Sequence, residues 1–144
     1  MSREKLIFTN GCFDLLHRGH VELLKYCKSL GYVIVGLNSD ASIKRLKGNY
    51  RPIIGESDRK FILESLVYVN QVIIFDEDTP QSLIYKLKPD MIVKGGDYTM
   101  DSVIGSDVCE VRIFNLIENL STSKIIQIIE SKNSARRQTQ GRIE

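Results

Sequence analysis

Short apolar segments alternate with segments of helical periodicity along this chain, and this alternation limits the folds open to it. The apolar segments are 6–9, 32–37, 72–75, 91–93 and 111–114. The segments of helical spacing are 19–30, 39–46, 56–66, 78–87 and 121–129. Continuously apolar strands joined through amphipathic helices form parallel sheets that are covered on both faces. The sequence therefore predicts a doubly wound, Rossmann-like α/β domain with a five-stranded parallel sheet.

Length and composition predict one ordinary globular domain. The chain has 144 residues, of which 42% are hydrophobic and 26% charged, with 20 basic and 18 acidic side chains. This balance disfavours nucleic-acid binding, and no apolar segment is long enough to span a membrane. We expect a cytoplasmic protein with one domain over 1–131. Residues 132–144 form a polar, basic tail that we expect to be disordered, an interaction arm being the alternative.

The two histidines of the chain stand three positions apart, directly after the first predicted strand. His17 and His20 lie on either side of Gly19, where the first helix is predicted to start. Helix N-termini attract phosphate, and imidazole N–H groups can donate to oxygens that gain charge in a transition state. The arrangement predicts a phosphoryl-transfer site with both histidines as catalytic residues.

Other interpretations of this segment are weaker. The histidines could serve only a structural role, with their hydrogen bonds satisfied at the helix start. A zinc site would need a third ligand, and neither Asp14 nor Cys12 stands at a known zinc-site spacing. The first turn has no G-x-G-x-x-G run, and the chain has no P-loop. We therefore expect no metal site built from protein ligands alone.

Further polar residues follow other predicted elements. Ser121, Thr122 and Ser123 begin the last helix, where hydroxyls and free amides can bind phosphate or simply cap the helix. Lys94, Gly96 and Asp97 follow the fourth strand, where they could approach a nucleotide or form a plain turn. The basic residues after the second strand, which could bind an acceptor phosphate or form a solvated face, are Lys44, Lys47 and Arg51.

The stretch Gly-x-Phe-Asp-x-x-His-x-Gly-His over 11–20, together with Leu-Ser-Thr-Ser-Lys over 120–124, resembles the HxGH nucleotidyltransferases of the cytidylyltransferase-like superfamily. The resemblance implies that the histidines stabilise the α-phosphate as pyrophosphate leaves. It also implies that the late hydroxyl motif holds the β- and γ-phosphates of a triphosphate carrying Mg²⁺. The remaining residues that it assigns to the nucleotide are Asn10, Gly11, Cys12, Phe13 and Gly19.

The same resemblance suggests the acceptor side. Lys44 would assist catalysis, and Asp14, Lys47, Arg51 and Arg59 would contact the acceptor. The chain resembles the subfamily that joins ATP to D-glycero-β-D-manno-heptose 1-phosphate in five segments, which are Asn-Ser-Asp (38–40), Lys-Arg-Leu-Lys-Gly (44–48), Arg-Pro-Ile (51–53), Asp-Thr-Pro (78–80) and Val-Lys-Gly-Gly-Asp-Tyr (93–98). This resemblance implies a separate sugar kinase upstream and a homodimer. Cytidylyltransferases commonly carry an arginine shortly before the late motif, where this chain has Asn115, so ATP is favoured. A cytidylyl transfer to glycerol 3-phosphate and a non-catalytic nucleotide-binding module are the alternatives.

Overall fold

A computed structural model describes residues 3–96, 98–115 and 121–141. The strands are β1 (Leu6–Gly11), β2 (Tyr32–Asn38), β3 (Gln71–Phe75), β4 (Met91–Gly95) and β5 (Glu110–Phe114). The helices are α1 (Arg18–Leu30), α2 (Asp40–Lys47), α3 (Glu56–Glu64), α4 (Gln81–Leu87) and α5 (Thr122–Gly141). A 3-10 helix, Met100–Ser102, lies between β4 and β5. Among the described residues, no helix is long and apolar enough to cross a membrane.

All five strands are parallel and lie in the order β3-β2-β1-β4-β5. The chain winds outward from β1 through β2 to β3, and then returns to the other side of β1 with β4 and β5. Strand order therefore reverses between β1 and β4, and a crevice opens there beyond the carboxyl ends of the strands. The predicted fold class is confirmed.

Alternate side chains of each strand pack on opposite faces of the sheet. Ile7 of β1 belongs to one buried cluster with Leu24 of α1 and Leu63 of α3. Phe8, the next residue, belongs to a second cluster that includes Ile84 of α4. Because both clusters are shielded by helices or loops, the strands are apolar on both faces, as the continuous apolar segments predict.

The predicted elements are present, and their ends differ by a few residues. α3 ends at Glu64 rather than at residue 66, and Ser65 is its C-cap residue, with a side chain that donates a hydrogen bond to the Phe61 carbonyl at 2.8 Å. The segment 78–80, predicted as the start of the fourth helix, forms the turn before it, and α4 begins at Gln81. The Met100–Ser102 helix was not predicted, because three residues are too few to show a period.

The expected disordered tail differs from the structure over 132–141. α5 continues through this segment to Gly141 with exposed side chains. The physical reason is helix propensity, since Ala135, Arg136, Arg137 and Gln138 are good helix formers and no glycine or proline interrupts them. The domain boundary at residue 131 stays a prediction, and 142–144 lie outside the described residues.

Candidate active site

The polar residues that follow the strands come together at the crevice between β1 and β4. Asn10 and Gly11 end β1, and Lys94 and Gly95 end β4. The segment from β1 into α1 carries the histidine pair across the same end of the sheet. The site therefore lies where a doubly wound sheet places its ligands.

His17 and His20 form a reciprocal cap on the first turn of α1. His17 is the N-cap residue, and its Nδ1 accepts a hydrogen bond from the Gly19 N–H at 3.1 Å. The Nδ1 of His20 accepts from the His17 N–H at 3.3 Å. The two rings stack with centroids 3.8 Å apart and planes inclined by 24°. This is the capping-box arrangement with imidazoles in place of the usual hydroxyl and carboxylate.

The cap determines which ring nitrogen carries the proton. A ring nitrogen that accepts a hydrogen bond carries no proton of its own. Because both Nδ1 atoms accept a backbone N–H, the neutral rings must carry their protons on Nε2. Burial lowers the pKa of His17, and it lowers the pKa of His20 to about 4, with smaller contributions from the positive charges of His17 and Lys47. Both rings are therefore neutral near pH 7 and present two Nε2–H donors.

Phe13 holds the turn that carries the histidines. Its backbone lies in the left-handed region with φ of 45°, which is costly for a bulky residue and is retained only where packing demands it. Its ring is buried, lies 5.0 Å from the His20 ring, and would be 3.2 Å from a Cβ placed on Gly11. Glycine at position 11 leaves room for that ring, so Gly11 and Phe13 shape the site together.

Three cavities meet around Cys12. We name each cavity after a residue that lines that cavity and neither of the other two: the His17 cavity, the Leu23 cavity and the Asn38 cavity. Their volumes are about 190, 160 and 400 Å³ respectively. Cys12 lines all three, so the cavities form one branched cleft.

The His17 cavity joins the histidine pair to the start of the last helix. Its remaining lining residues are Cys12, Phe13, Asp14, His20, Lys47, Ser121, Thr122 and Ser123. Thr122 Oγ1 donates to the Leu15 carbonyl at 3.4 Å, which ties the start of α5 to the segment before α1. Ser121 Oγ accepts from the Lys124 N–H at 3.0 Å and caps α5. Two helix N-termini, two imidazoles and a lysine thus surround a space suited to a polyphosphate.

The other two cavities differ in character. The Leu23 cavity is the smallest of the three, and its lining residues are Asn10, Gly11, Cys12, Phe13, His20, Leu23, Lys94, Gly95 and Tyr98. The Asn38 cavity is larger and lies toward β2 and β3. Its polar lining residues are Asn10, Asn38, Lys47, Asp78, Thr79, Lys94, Tyr98 and Ser102.

The basic residues after β2 do not all face the cleft. Lys47, the last residue of α2, lines the His17 and Asn38 cavities. Lys44 lies one turn earlier in α2 and is exposed, and Arg51 follows in the connecting loop, where its N–H donates to the Gly48 carbonyl. The structure thus places Lys47 in the site, and Lys44 and Arg51 remain predictions.

Arg59, predicted to contact the acceptor, is instead held by contacts within the protein. Its side chain is fully buried and donates four hydrogen bonds of 2.8 Å. The acceptors are the carbonyls of Ile54, Cys12 and Asn38 and the Asp40 carboxylate. Arg59 is therefore a positioning residue that ties the ends of β1 and β2 to α3.

Asp14 is also occupied by the protein itself, which differs from the predicted contact with the acceptor. Its carboxylate accepts the N–H groups of Ile53 and Ile54 at 2.9 to 3.0 Å. Only 4% of the residue is exposed, although it contributes to the wall of the His17 cavity. Asp14 therefore anchors the loop that connects α2 to α3.

Several lining residues were not predicted. Asn38 ends β2, and Asp78 and Thr79 follow β3. The rule that polar residues directly after strands form the site would also have selected these three, if it had been applied to the ends of β2 and β3. Gly95 lines the Leu23 cavity, whereas the predicted Gly96 makes the turn after β4 with φ of 111°. Asp97 lies outside the described residues.

Metal ligands do not converge in the part of the chain that is described. Within 3–96, 98–115 and 121–141, no group of three His, Cys, Asp or Glu side chains could hold a metal ion.

Comparison with known families agrees with the geometry. The model of the cytidylyltransferase-like family matches residues 8–128, which include the histidine pair and the start of α5. The chain belongs to the cytidylyltransferase-like family. The predicted family is therefore confirmed.

Curated relatives are longer than this chain. The chain is 55% identical over 131 residues to the bifunctional protein HldE of Helicobacter pylori strain G27, covering 90% of this chain and 28% of that protein. It is 53% identical over 134 residues to the bifunctional protein HldE of Campylobacter concisus strain 13826, covering 91% and 28%. The chain thus spans less than a third of the length of these relatives.

Two solved structures share this fold. The lipopolysaccharide core biosynthesis protein of Thermoplasma volcanium GSS1 has a TM-score of 0.65 and 29% identity, covering 80% of this chain and 98% of that one. A pantoate-β-alanine ligase from Francisella tularensis has a TM-score of 0.58 at 15% identity, covering 87% and 69%, and shares the fold alone.

Proposed function

We propose that this chain is a nucleotidyltransferase that transfers AMP from ATP to a sugar 1-phosphate and releases pyrophosphate. D-glycero-β-D-manno-heptose 1-phosphate is the proposed acceptor, and ADP-heptose the product. The observation that carries the proposal is the convergence of two Nε2–H donors and the start of α5 on one cavity. Such donors stabilise charge that develops on a transferring phosphoryl group.

Each substrate group has a cavity that suits it. The triphosphate fits the His17 cavity, where hydroxyls, helix amides and Lys47 provide donors. We assign the adenosine to the Leu23 cavity, because Phe13, Leu23 and the glycines at 11 and 95 offer apolar contact and close approach to a ring system. The sugar phosphate fits the Asn38 cavity, where amide, hydroxyl and carboxylate groups can bind sugar hydroxyls.

The reaction requires positioning more than covalent catalysis. An oxygen of the acceptor phosphate forms a bond to the α-phosphorus, the bond from that phosphorus to the bridging oxygen breaks, and the electron pair leaves with pyrophosphate. The neutral rings of His17 and His20 donate from Nε2 to oxygens of the reacting phosphates. The cap holds both rings in place before substrate binds, so the donors need no reorganisation during the reaction.

Mg²⁺ fits this site as part of the substrate. The lining groups of the His17 cavity are mainly hydrogen-bond donors, and the Asp14 carboxylate is already held by two N–H groups. We therefore infer that the ion binds oxygens of the triphosphate, where it would neutralise charge, and that the chain binds the resulting complex.

The relatives support the substrate class and the pathway. The curated relatives are bifunctional proteins, and the Thermoplasma protein is named for lipopolysaccharide core biosynthesis. We infer that this chain acts in the synthesis of a surface polysaccharide, on a sugar phosphate supplied by a kinase. A homodimer and a cytoplasmic location belong to the same proposal.

A pyrophosphate-release assay tests the proposal. ATP and CTP are each combined with heptose 1-phosphate and with glycerol 3-phosphate, in the presence of Mg²⁺. We expect the fastest release with ATP and heptose 1-phosphate. Faster release with CTP and glycerol 3-phosphate would replace the proposal with a cytidylyltransferase. Nucleotide binding without release for any pair would support a non-catalytic module.

A further inference from the structure

Lys94 lies at the reversal of strand order, between the ends of β1 and β4. It is the fourth residue of β4, and its Nζ reaches across to the Asn10 carbonyl of β1 at 3.4 Å. That distance is long for a hydrogen bond. The same Nζ lies 5.4 Å from the centre of the Tyr98 ring, within range of a cation–π contact. The ammonium group is therefore held in place by contacts weak enough to be exchanged for a stronger ligand.

The surroundings of Lys94 favour an anionic ligand. Burial lowers the pKa of Lys94, Cys12 offsets part of this effect, and the positive charge of Lys47 adds to it. Lys47 also lowers the pKa of His20, so Lys47 is within electrostatic reach of both groups. An anion bound among Lys47, Lys94 and His20 would relieve the repulsion between the two lysines.

The cavities that Lys94 faces restrict which anion this can be. Lys94 lines the Leu23 and Asn38 cavities, whereas the described lining of the His17 cavity includes Lys47 and does not include Lys94. The β- and γ-phosphates, which suit the His17 cavity, would therefore lie away from Lys94. A nucleoside in the Leu23 cavity carries no phosphate of its own. The phosphates left near Lys94 are the α-phosphate and the phosphate of the acceptor. Of these two, the acceptor phosphate is the one that belongs with a sugar in the Asn38 cavity, which Lys94 and Lys47 both line.

We propose that Lys94 and Lys47 together bind the attacking phosphate of a sugar phosphate at the mouth of the Asn38 cavity, next to the α-phosphate of the nucleotide. This inference rests on the proposed function and changes the role predicted for Lys94, which was nucleotide binding. Two lysines on different walls fix the phosphate from two directions and offset its repulsion with the triphosphate. The sugar hydroxyls then extend toward Asn38, Asp78 and Thr79.

The variant Lys94→Met tests the role, because it keeps most of the length of the unbranched side chain and removes its charge. Two dissociation constants are measured by calorimetry, one for a non-hydrolysable ATP analogue and one for heptose 1-phosphate in the presence of that analogue. We expect the constant for the analogue to change less than threefold. We expect affinity for the sugar phosphate to fall at least thirtyfold, and KM for that substrate to rise in parallel. Lys86→Met, on the exposed face of α4, is the matched control and should change neither constant.

The opposite pattern would overturn the inference. If Lys94→Met weakens binding of the ATP analogue and leaves that of the sugar phosphate unchanged, Lys94 belongs to the nucleotide site. The binding measurements do not depend on turnover, so they separate this inference from the proposed function. Absence of pyrophosphate release in the wild-type protein would contradict the function, whereas unchanged acceptor affinity in the variant would contradict only the role of Lys94.

If Lys94→Met does not fold, the inference can still be tested on the wild-type protein. Lysines are acetylated briefly with a small amine-reactive reagent, and modification of Lys94 is quantified by mass spectrometry. Heptose 1-phosphate with the ATP analogue should protect Lys94 more than the analogue alone, while Lys86 should be unaffected. Equal protection by the analogue alone would overturn the inference.

Discussion

The imidazole rings of His17 and His20 stack 3.8 Å apart, and each accepts a backbone N–H of the first turn of α1 on its Nδ1. One nitrogen of each ring thus holds the helix start, and the other is left to face the cleft. Under the proposed mechanism, stability and catalysis depend on different atoms of the same side chains. Substitutions can therefore separate the two roles.

His17→Asn should separate them most clearly. Asparagine is a good N-cap residue, so it can accept the Gly19 N–H, but it cannot place a donor where Nε2 lies. We expect turnover to fall by about a hundredfold, the scale of losing one oxyanion donor, while the free energy of unfolding stays within about 0.5 kcal/mol of wild type. His17→Ala should lose a similar factor in turnover and, in addition, about 1 kcal/mol of stability. Urea unfolding and pyrophosphate release measure the two effects, and near-normal turnover in folded His17→Asn would contradict the assignment.

The depressed pKa of His20 predicts a loss of stability in mild acid. The folded protein binds a proton at His20 only near pH 4, whereas the unfolded chain does so near the ordinary value of 6.5. Between these values the unfolded state holds more protons, so the free energy of unfolding falls as the pH is lowered from 6.5 toward 4. The full contribution is about 3 kcal/mol, an order-of-magnitude figure from the size of the shift.

The variant His20→Gln provides the comparison, because glutamine does not titrate. Urea unfolding at several pH values between 4 and 7 should show a smaller dependence on pH for His20→Gln than for the wild type. Equal slopes would mean that His20 has an ordinary pKa in the folded protein.

Arg59 should be a determinant of stability through its buried hydrogen bonds. Arg59→Met leaves the Asp40 carboxylate and three carbonyls without their donor, and such losses cost about 3 to 5 kcal/mol. Arg59→Lys keeps the charge but lacks the planar group that reaches four acceptors, so it should recover only part of that loss. Arg18→Met removes an exposed pair with Glu22 and should cost less than about 0.5 kcal/mol. Denaturant unfolding ranks the three variants, and a small effect of Arg59→Met would contradict the role.

Thr9→Val should stabilise the protein or leave it unchanged. Thr9 is fully buried in β1, and its Oγ1 has no hydrogen-bond partner among the residues that the structure describes. Valine has nearly the same shape and removes the cost of burying an unpaired hydroxyl, which is about 1 to 3 kcal/mol. A thermal unfolding midpoint above that of the wild type is expected. A clear decrease would show that the hydroxyl has a partner in solution.

The histidine pair and the fold class were predictable because both depend on local pattern. Apolar segments with alternating helices specify a parallel sheet, and a histidine pair after the first strand must then lie at the end of β1 where ligands bind. The start of α5 was predicted by the same kind of signal, a run of hydroxyl residues before an apolar period. Its position beside His17 was implied only by the resemblance to the family.

The roles of the charged residues were decided by the tertiary structure. Lys47, Arg59 and Lys94 are all basic residues, and the sequence does not distinguish their roles. Burial and partners do, because Arg59 is surrounded by four acceptors while Lys47 and Lys94 line the cleft. A charge in sequence becomes a scaffold or a ligand-binding group according to which long-range neighbours the fold brings to it, and those contacts have no local signature. The sequence by itself determined the fold and the place of the histidine pair at the end of β1; the tertiary structure decided which charged side chains line the cleft and which are held within the protein.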